Sequence, residues 1–400
     1  MNVDVQVSCH PHIVRADYRF LQRLGSKLLV LSCVLLVTGS IAVAQTWQHE
    51  MLDSGSDHDV GQFSALAIDR DGNLHAAYWD ATGNAPRGQL WYTFRAPGDK
   101  QWSRMVVDGD GTFVSMAVDG SDHPHIAYSS KRETGLHYAH FDGKKWQKQI
   151  IDPGKVNYYN QIQVDANGHP RISYYLYHMP TGEYWLRLKY AYFDGKSWYI
   201  QTADPRKWTG KMNSLALDAE GNPYISYSYL TTTHDLFFAH YDGTHWQYGA
   251  PDLTTNENTL VSYGNCIAVD SKGHPHIVYF DNTKNNVKYA SWDGTRWILE
   301  VVDHLVSLNE LDHISLRMDH QDHAHIAYYD AGLGILKYAV REASGWRKEV
   351  VDHEGNVGLR PSLTLDAHDQ PYISYYDLTN HALRLAYRHA GPEPVVADKR

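Results

Sequence analysis

One pattern constrains this chain more than any other. A short apolar stretch ending in Asp recurs at Asp69, Asp119, Asp165, Asp218, Asp270, Asp319 and Asp366, at spacings of 46–53 residues. A period of that size marks stacked or radially repeated units, because one such unit cannot bury its apolar face alone. The fourth copy shows the layout. Asn213-Ser214-Leu215-Ala216-Leu217-Asp218 is followed by a turn at Glu220-Gly221-Asn222-Pro223 and by Tyr224-Ile225-Ser226-Tyr227; Leu236-Phe237-Phe238-Ala239 and a segment starting at Trp246 complete it. Period-two alternation, β-branched and aromatic enrichment, and Gly, Pro, Asn and Asp at the joints predict four strands per unit, A to D.

Two more positions keep the same period. Strand B ends in Tyr in every unit: Tyr78, Tyr128, Tyr174, Tyr227, Tyr279, Tyr328 and Tyr375. Strand D starts at Trp102, Trp146, Trp198, Trp246, Trp297 and Trp346, each followed six residues later by Asp108, Asp152, Asp204, Asp252, Asp303 and Asp352. The seventh unit runs out of chain after residues 383–387, and its missing strand stands at the other end, where Trp47 precedes Asp53 by the same six residues. A four-stranded unit repeated radially, its last copy completed by the first strand, is a closed β-propeller. The expected fold is therefore all-β: a seven-bladed propeller of four-stranded antiparallel blades over residues 45–391, followed by a short tail at 392–400. The repeated Trp and Tyr are assigned to packing. At 43% hydrophobic and 12% aromatic, the chain has the material for such a core, which excludes global disorder.

Residues 1–27 carry Arg15, Arg19, Arg23 and Lys27, and an apolar run at 28–44 follows. This is a signal-peptide layout, with small residues at Ala42 and Ala44 placing cleavage before Gln45. The alternative is an uncleaved anchor, since the run approaches the length of a membrane span. Cleavage of 1–44 implies a secreted or periplasmic protein with no membrane contact after processing. It removes Cys9 and Cys33 and leaves Cys266 alone, so no intrachain disulfide closes the ring. The full chain has net charge -10, with 46 acidic against 36 basic residues. That balance argues against a nucleic-acid surface, which needs a basic stripe.

His75, His125, His276 and His325 resemble metal ligands when read singly, yet they fill one repeated slot three residues before the strand-B Tyr. A slot spread round a ring cannot converge on one ion. The clusters Asp319, His320, Asp322, His323 and Asp69-Arg70-Asp71-Gly72-Asn73 both coincide with the A–B turn, where Asp, Asn and Gly serve the backbone. No metal and no cofactor is expected.

Phe141-Asp142-Gly143-Lys144-Lys145-Trp146, with relatives at Asp194-Gly195, Asp242-Gly243 and Asp293-Gly294, resembles a degenerate Asp-box hairpin, the repeat of BNR and sialidase-like propellers. The resemblance implies a sialidase-like fold. It does not extend to sialidase chemistry, which uses three clustered Arg in a six-bladed ring; here, among the strand-A starts, only Arg360 offers one.

Function on a repeat scaffold is expected where the units depart from one another. Five residues before the strand-A Asp, three consecutive blades share Asn: Asn160, Asn213 and Asn265. The longest loops of the same face, 178–187, 205–212 and 253–264, fall in the same sector and carry Trp185 and Trp208. With Tyr159, Tyr175 and Tyr263 these predict an aromatic- and Asn-lined groove over blades three to five. Aromatic faces stack on sugar C–H surfaces and amides fix hydroxyls, so the expected partner is a glycan or cell-surface polysaccharide, bound by a monomer. The competing reading is a polysaccharide lyase or other glycan-degrading enzyme, in which His178 or Tyr177 removes a proton α to a uronate carboxylate, Asn213 and Lys211 offset the developing charge, and Tyr229 stands nearby. Residue types alone leave enzyme and binding module both open.

Overall fold

In the computed structural model, residues 46–388 are described except 55–58, 82–87, 131–134, 154–158, 179–184, 231–234, 254–260 and 309–312; the side chains of 177, 178, 185 and 261–263 also lie outside the description. The described residues form seven four-stranded antiparallel sheets arranged as a β-propeller. Blade one consists of A (Val60–Ile68), B (Leu74–Asp80), C (Gln89–Arg95) and D (Ser103–Asp108). Blade seven supplies A (Val357–Leu365), B (Pro371–Asp377) and C (Ala382–Tyr387) from the end of the chain. Its D strand is Gln48–Asp53, which pairs antiparallel with C from Gln48 opposite Tyr387 to Asp53 opposite Leu383. The first and last strands among the described residues thus share one sheet, and the ring closes by a backbone ladder.

The Asp that ends strand A caps the A–B turn in every blade. One Asp69 carboxylate oxygen accepts the backbone N–H groups of Asp71 and Asn73, and Asp119, Asp165, Asp218, Asp270, Asp319 and Asp366 repeat the pattern two and four residues on. A short side chain that accepts from the backbone two residues on is the reason Asp fits this place. The hairpins at Asp142, Asp194, Asp242 and Asp293 use the same device between strands C and D. Among the described residues, no group of three or more His, Cys, Asp or Glu could hold a metal ion.

Neighbouring blades are joined by three repeated contacts. The strand-B Tyr donates its hydroxyl to the strand-D Asp of the preceding blade at all seven joins: Tyr78 to Asp53, Tyr128 to Asp108, Tyr174 to Asp152, Tyr227 to Asp204, Tyr279 to Asp252, Tyr328 to Asp303 and Tyr375 to Asp352, at 2.6–2.9 Å. Burial and the adjacent carboxylate both push Tyr78, Tyr174, Tyr227, Tyr279, Tyr328 and Tyr375 above the ordinary phenol range, so their O–H groups remain donors. The strand-D Trp then sets its edge on an aromatic ring in strand C of the preceding blade, as Trp146 does on Tyr92 (5.2 Å), Trp198 on Tyr138 (5.2 Å), Trp346 on Tyr289 (5.1 Å) and Trp47 on Tyr338 (5.3 Å). Around the channel, Ser115, Ser214, Ser315 and Ser362 each accept the N–H of the next blade's strand A, from Ile162, Ile267, Leu363 and Leu66.

The repeated His completes the same network. In blades one, two and six its Nδ1 meets the strand-C Tyr hydroxyl (His75–Tyr92 2.7 Å, His125–Tyr138 2.6 Å, His325–Tyr338 2.5 Å) while Nε2 meets the turn Asp at 3.0–3.2 Å. A carboxylate only accepts, so Nε2 carries the proton and the Tyr donates to Nδ1. In blade three Arg171 fills the slot and bonds Asp165 at 2.6 Å.

Three outcomes are expected. Tyr227→Phe leaves the fully buried Asp204 without its phenol donor and should lower unfolding free energy by about 1.5–3 kcal/mol, read from urea midpoints. Deleting 47–53 removes the strand-D ladder, the Asp53 acceptor and buried Leu52, and exposes an edge; the melting temperature should fall and aggregation rise, and an unchanged melt would contradict closure by this strand. Finally, burial lowers the pKa of His75, His125, His276 and His325 despite their Asp partners. The unfolded chain therefore takes up protons first, so stability is full above about pH 6.5 and declines as pH falls below it. Thermal melts between pH 7.5 and 5 should show this slope, reduced in His125→Gln.

Candidate functional site

The channel mouth is built by an irregularity at the start of strand A. The A–B register slips between Gln62 and Ala65, Thr112 and Ser115, Lys211 and Ser214, Tyr263 and Asn265, and Leu359 and Ser362. At or beside each slip, six positions before the turn Asp, the backbone turns left-handed: Phe63 (φ +55°), Phe113 (+52°), Met212 (+50°), Gly264 (+66°) and Arg360 (+54°). Tyr159 of blade three does the same at +57°. For a bulky L-residue this conformation costs about 1–2 kcal/mol. It brings one residue per blade to the channel lining, and His313 of blade six completes the ring of seven around a cavity of about 140 Å³.

The ring members touch. Phe63 and Phe113 lie 4.3 Å apart, Phe113 and Tyr159 5.3 Å, and Tyr159 stacks on His313 at 6.1 Å. The Arg360 guanidinium sits 3.6 Å over the Phe63 ring and donates to Gln62 Oε1 at 3.5 Å. Burial, reinforced by the charge of Arg360, pulls His313 down to about 3, so its imidazole is neutral; burial also lowers Arg360, to about 10. At neutral pH the mouth is therefore lined by aromatic rings, a neutral imidazole and the Arg360 cation.

The Asn residues singled out from sequence lie in the same cavity wall, but their amides are engaged between blades. Asn213 accepts from Ser173 (2.5 Å) and donates to the carbonyls of Tyr159 (2.6 Å) and Gly210 (3.0 Å). Asn265 accepts from Ser226 (2.6 Å) and donates to the Met212 carbonyl (2.8 Å). Asn160 donates to Ser129 at 3.3 Å, and its enclosed carbonyl oxygen has no partner among the described residues. Tyr159 belongs to the ring, with the buried Tyr175 stacked behind it at 6.1 Å.

Tyr229, Trp208 and Lys211 come together in blade four at the face where strand A begins and strand B ends, the top face of the ring. Thr209 pairs with Tyr229 and Lys211 with Ser228, while the Trp208 carbonyl accepts from the Leu230 N–H. This corner is fixed by Arg206, which sequence reasoning missed: it grips Asp204 at 2.6 Å and lies 5.3 Å over Tyr229 and 4.4 Å over Phe237. The backbones of Tyr177 and His178 pair with Leu186 and Trp185, and Tyr263 pairs with Phe280. The side chains of Tyr177, His178, Trp185 and Tyr263 lie outside the described residues. Phe63, Phe113, His313 and Arg360 were also missed; the signal available was their shared place six residues before the turn Asp.

No protein-family model matches the chain, and no curated protein matches it. Solved structures do. The polysaccharide lyase Uly1 superposes with TM-score 0.53 at 9% identity, over 81% of this chain and 89% of that one. An ulvan lyase of polysaccharide lyase family PL25 gives 0.52 at 13% identity, over 84% and 95%. The Aleuria aurantia lectin, in complex with Fucalpha1-6GlcNAc, gives 0.50 at 13% identity, over 76% and 98%. At these identities what is shared is the propeller fold.

Proposed function

We propose that this chain is an exported carbohydrate-binding propeller that holds a glycan, on a cell surface or in a polysaccharide, at its top face. The observation that carries the reading is the arc of Phe63, Phe113 and Tyr159, three aromatic rings kept at the channel mouth in a backbone conformation unfavourable to them. Strain of this kind persists where the surrounding structure enforces it, and it clusters at ligand sites. An arc of aromatic rings beside polar groups suits a saccharide. The groove proposed for blades three to five extends from Tyr159 toward Trp208 and Tyr229. Support also comes from the fold neighbours, which include a fucoside-bound lectin and two polysaccharide lyases.

Binding is favoured over lyase chemistry by one feature. Asn213, the residue a lyase at this face would use to offset charge on the substrate, already has its oxygen and both amide hydrogens engaged. Release of the export segment at 1–44 and action as a monomer belong to the same proposal.

A glycan array with the chain 45–400 should show saccharide binding, and Phe113→Ala and Tyr159→Ala should each weaken it about tenfold, the equivalent of ~1.4 kcal/mol. The same protein should release no unsaturated, ultraviolet-absorbing product from a panel of uronate polysaccharides. Binding to no saccharide by a folded sample would sink the reading, and product formation would transfer it to the lyase.

A further inference from the structure

The described lining of the channel contains Arg317 and Arg360 and no Asp or Glu, in a chain where acidic residues outnumber basic ones by 46 to 36. Arg317 donates to the Leu316 carbonyl at 2.8 Å and forms no ion pair among the described residues. Arg360 is the sharper case. Among the described residues its enclosed Nε has no acceptor, its guanidinium makes one hydrogen bond, the 3.5 Å contact to a neutral amide, and it lies over the face of Phe63. Among the described residues the ionisable groups that act on it are His313, Tyr159 and Tyr376, none of them a carboxylate. Asp59 stands one residue further out, where it accepts from Gln62 (3.0 and 3.2 Å) and from the Tyr376 hydroxyl (2.7 Å).

A guanidinium partly withdrawn from bulk water with no carboxylate beside it is unfavourable, and its planar fork matches a carboxylate or sulfate. We propose that the channel mouth binds the carboxylate or sulfate group of an acidic saccharide, with Arg360 as the hydrogen-bonding fork and Arg317 adding positive potential from deeper in the channel. The cavity of about 140 Å³ has room for roughly ten waters. That admits one anionic substituent, while the sugar ring stays on the Phe63, Phe113 and Tyr159 arc above it. Shape and charge then divide the work. The arc accepts any pyranose, and Arg360 selects those with an anion at the edge that enters the channel.

This inference rests on the saccharide-binding reading, and its test separates the two. Calorimetric titrations of the chain 45–400 with sodium glucuronate, glucose and inorganic sulfate, at one ionic strength, should show glucuronate binding at least tenfold tighter than glucose and displaced by sulfate. Arg360→Gln should abolish that preference, Arg360→Lys should keep only part of it, and Phe113→Ala should weaken both sugars alike. Because Arg360→Gln removes a desolvated charge, it should melt no lower than the parent; if it fails to fold, the parent's own glucuronate preference decides. Equal affinity for glucuronate and glucose overturns the proposal, as does a glucuronate affinity unchanged in folded Arg360→Gln. Sulfate binding without glucuronate binding assigns the site to a free anion and overturns the saccharide part. Neutral saccharide binding without discrimination leaves the glycan reading intact and removes only the anion site.

Discussion

A phenol at the end of strand B reaches a carboxylate at the end of the preceding blade's strand D, and it does so at every join of the ring. Apolar packing between blades is non-directional and would tolerate sliding. A hydrogen bond to a largely buried carboxylate does not, because any slip leaves the charge without its donor. Asp204, Asp303 and Asp352 are nearly inaccessible, and each also receives a cation: Arg206, Lys337 or Arg384. Register and blade angle are thereby fixed outside the channel. The inner ends of the strands are left free to vary.

That freedom is where the candidate site arises. Strand A is held below by its turn Asp and at mid-height by the serine-to-amide bonds, so an extra residue above those points bulges without disturbing the blade. Each bulge turns a different side chain toward the axis. Two phenylalanines, a tyrosine, a methionine, a glycine, a histidine and an arginine share one geometric position around one cavity.

The same division explains what could be read from sequence. Turn Asp, strand-B Tyr, strand-D Trp and strand-D Asp each do one job seven times, so their residue types repeat and the ring, its blade number and its closure were all legible. Asn160, Asn213 and Asn265 were legible as a set too, but a set confined to three blades did not reveal that they join blades, through Ser129, Ser173 and Ser226, as Ser64 and Ser374 do at the blade seven to one join. The channel ring was hidden for the opposite reason. What recurs there is a positive φ, and only Gly264 signals that in its residue type; Phe63, Phe113 and Arg360 adopt it through a bulge that depends on pairing with strand B.

The sorting of charge follows from the same architecture. A chain with an excess of carboxylates has to place them where donors are plentiful, and the blade joins and A–B turns offer phenols, backbone N–H groups, lysines and arginines at fixed positions. Asp at those two repeated sites is held by neighbours and contributes nothing to the axis. The channel wall is made of the other residues of strand A, which alternate between small polar side chains and apolar ones, and its charge is set by whatever the bulge position and its neighbours happen to carry. In six blades the bulge position carries no permanent charge. In blade seven it carries Arg360, so a single residue gives the mouth of an acidic protein a positive centre, and it does so at the point where the aromatic arc begins.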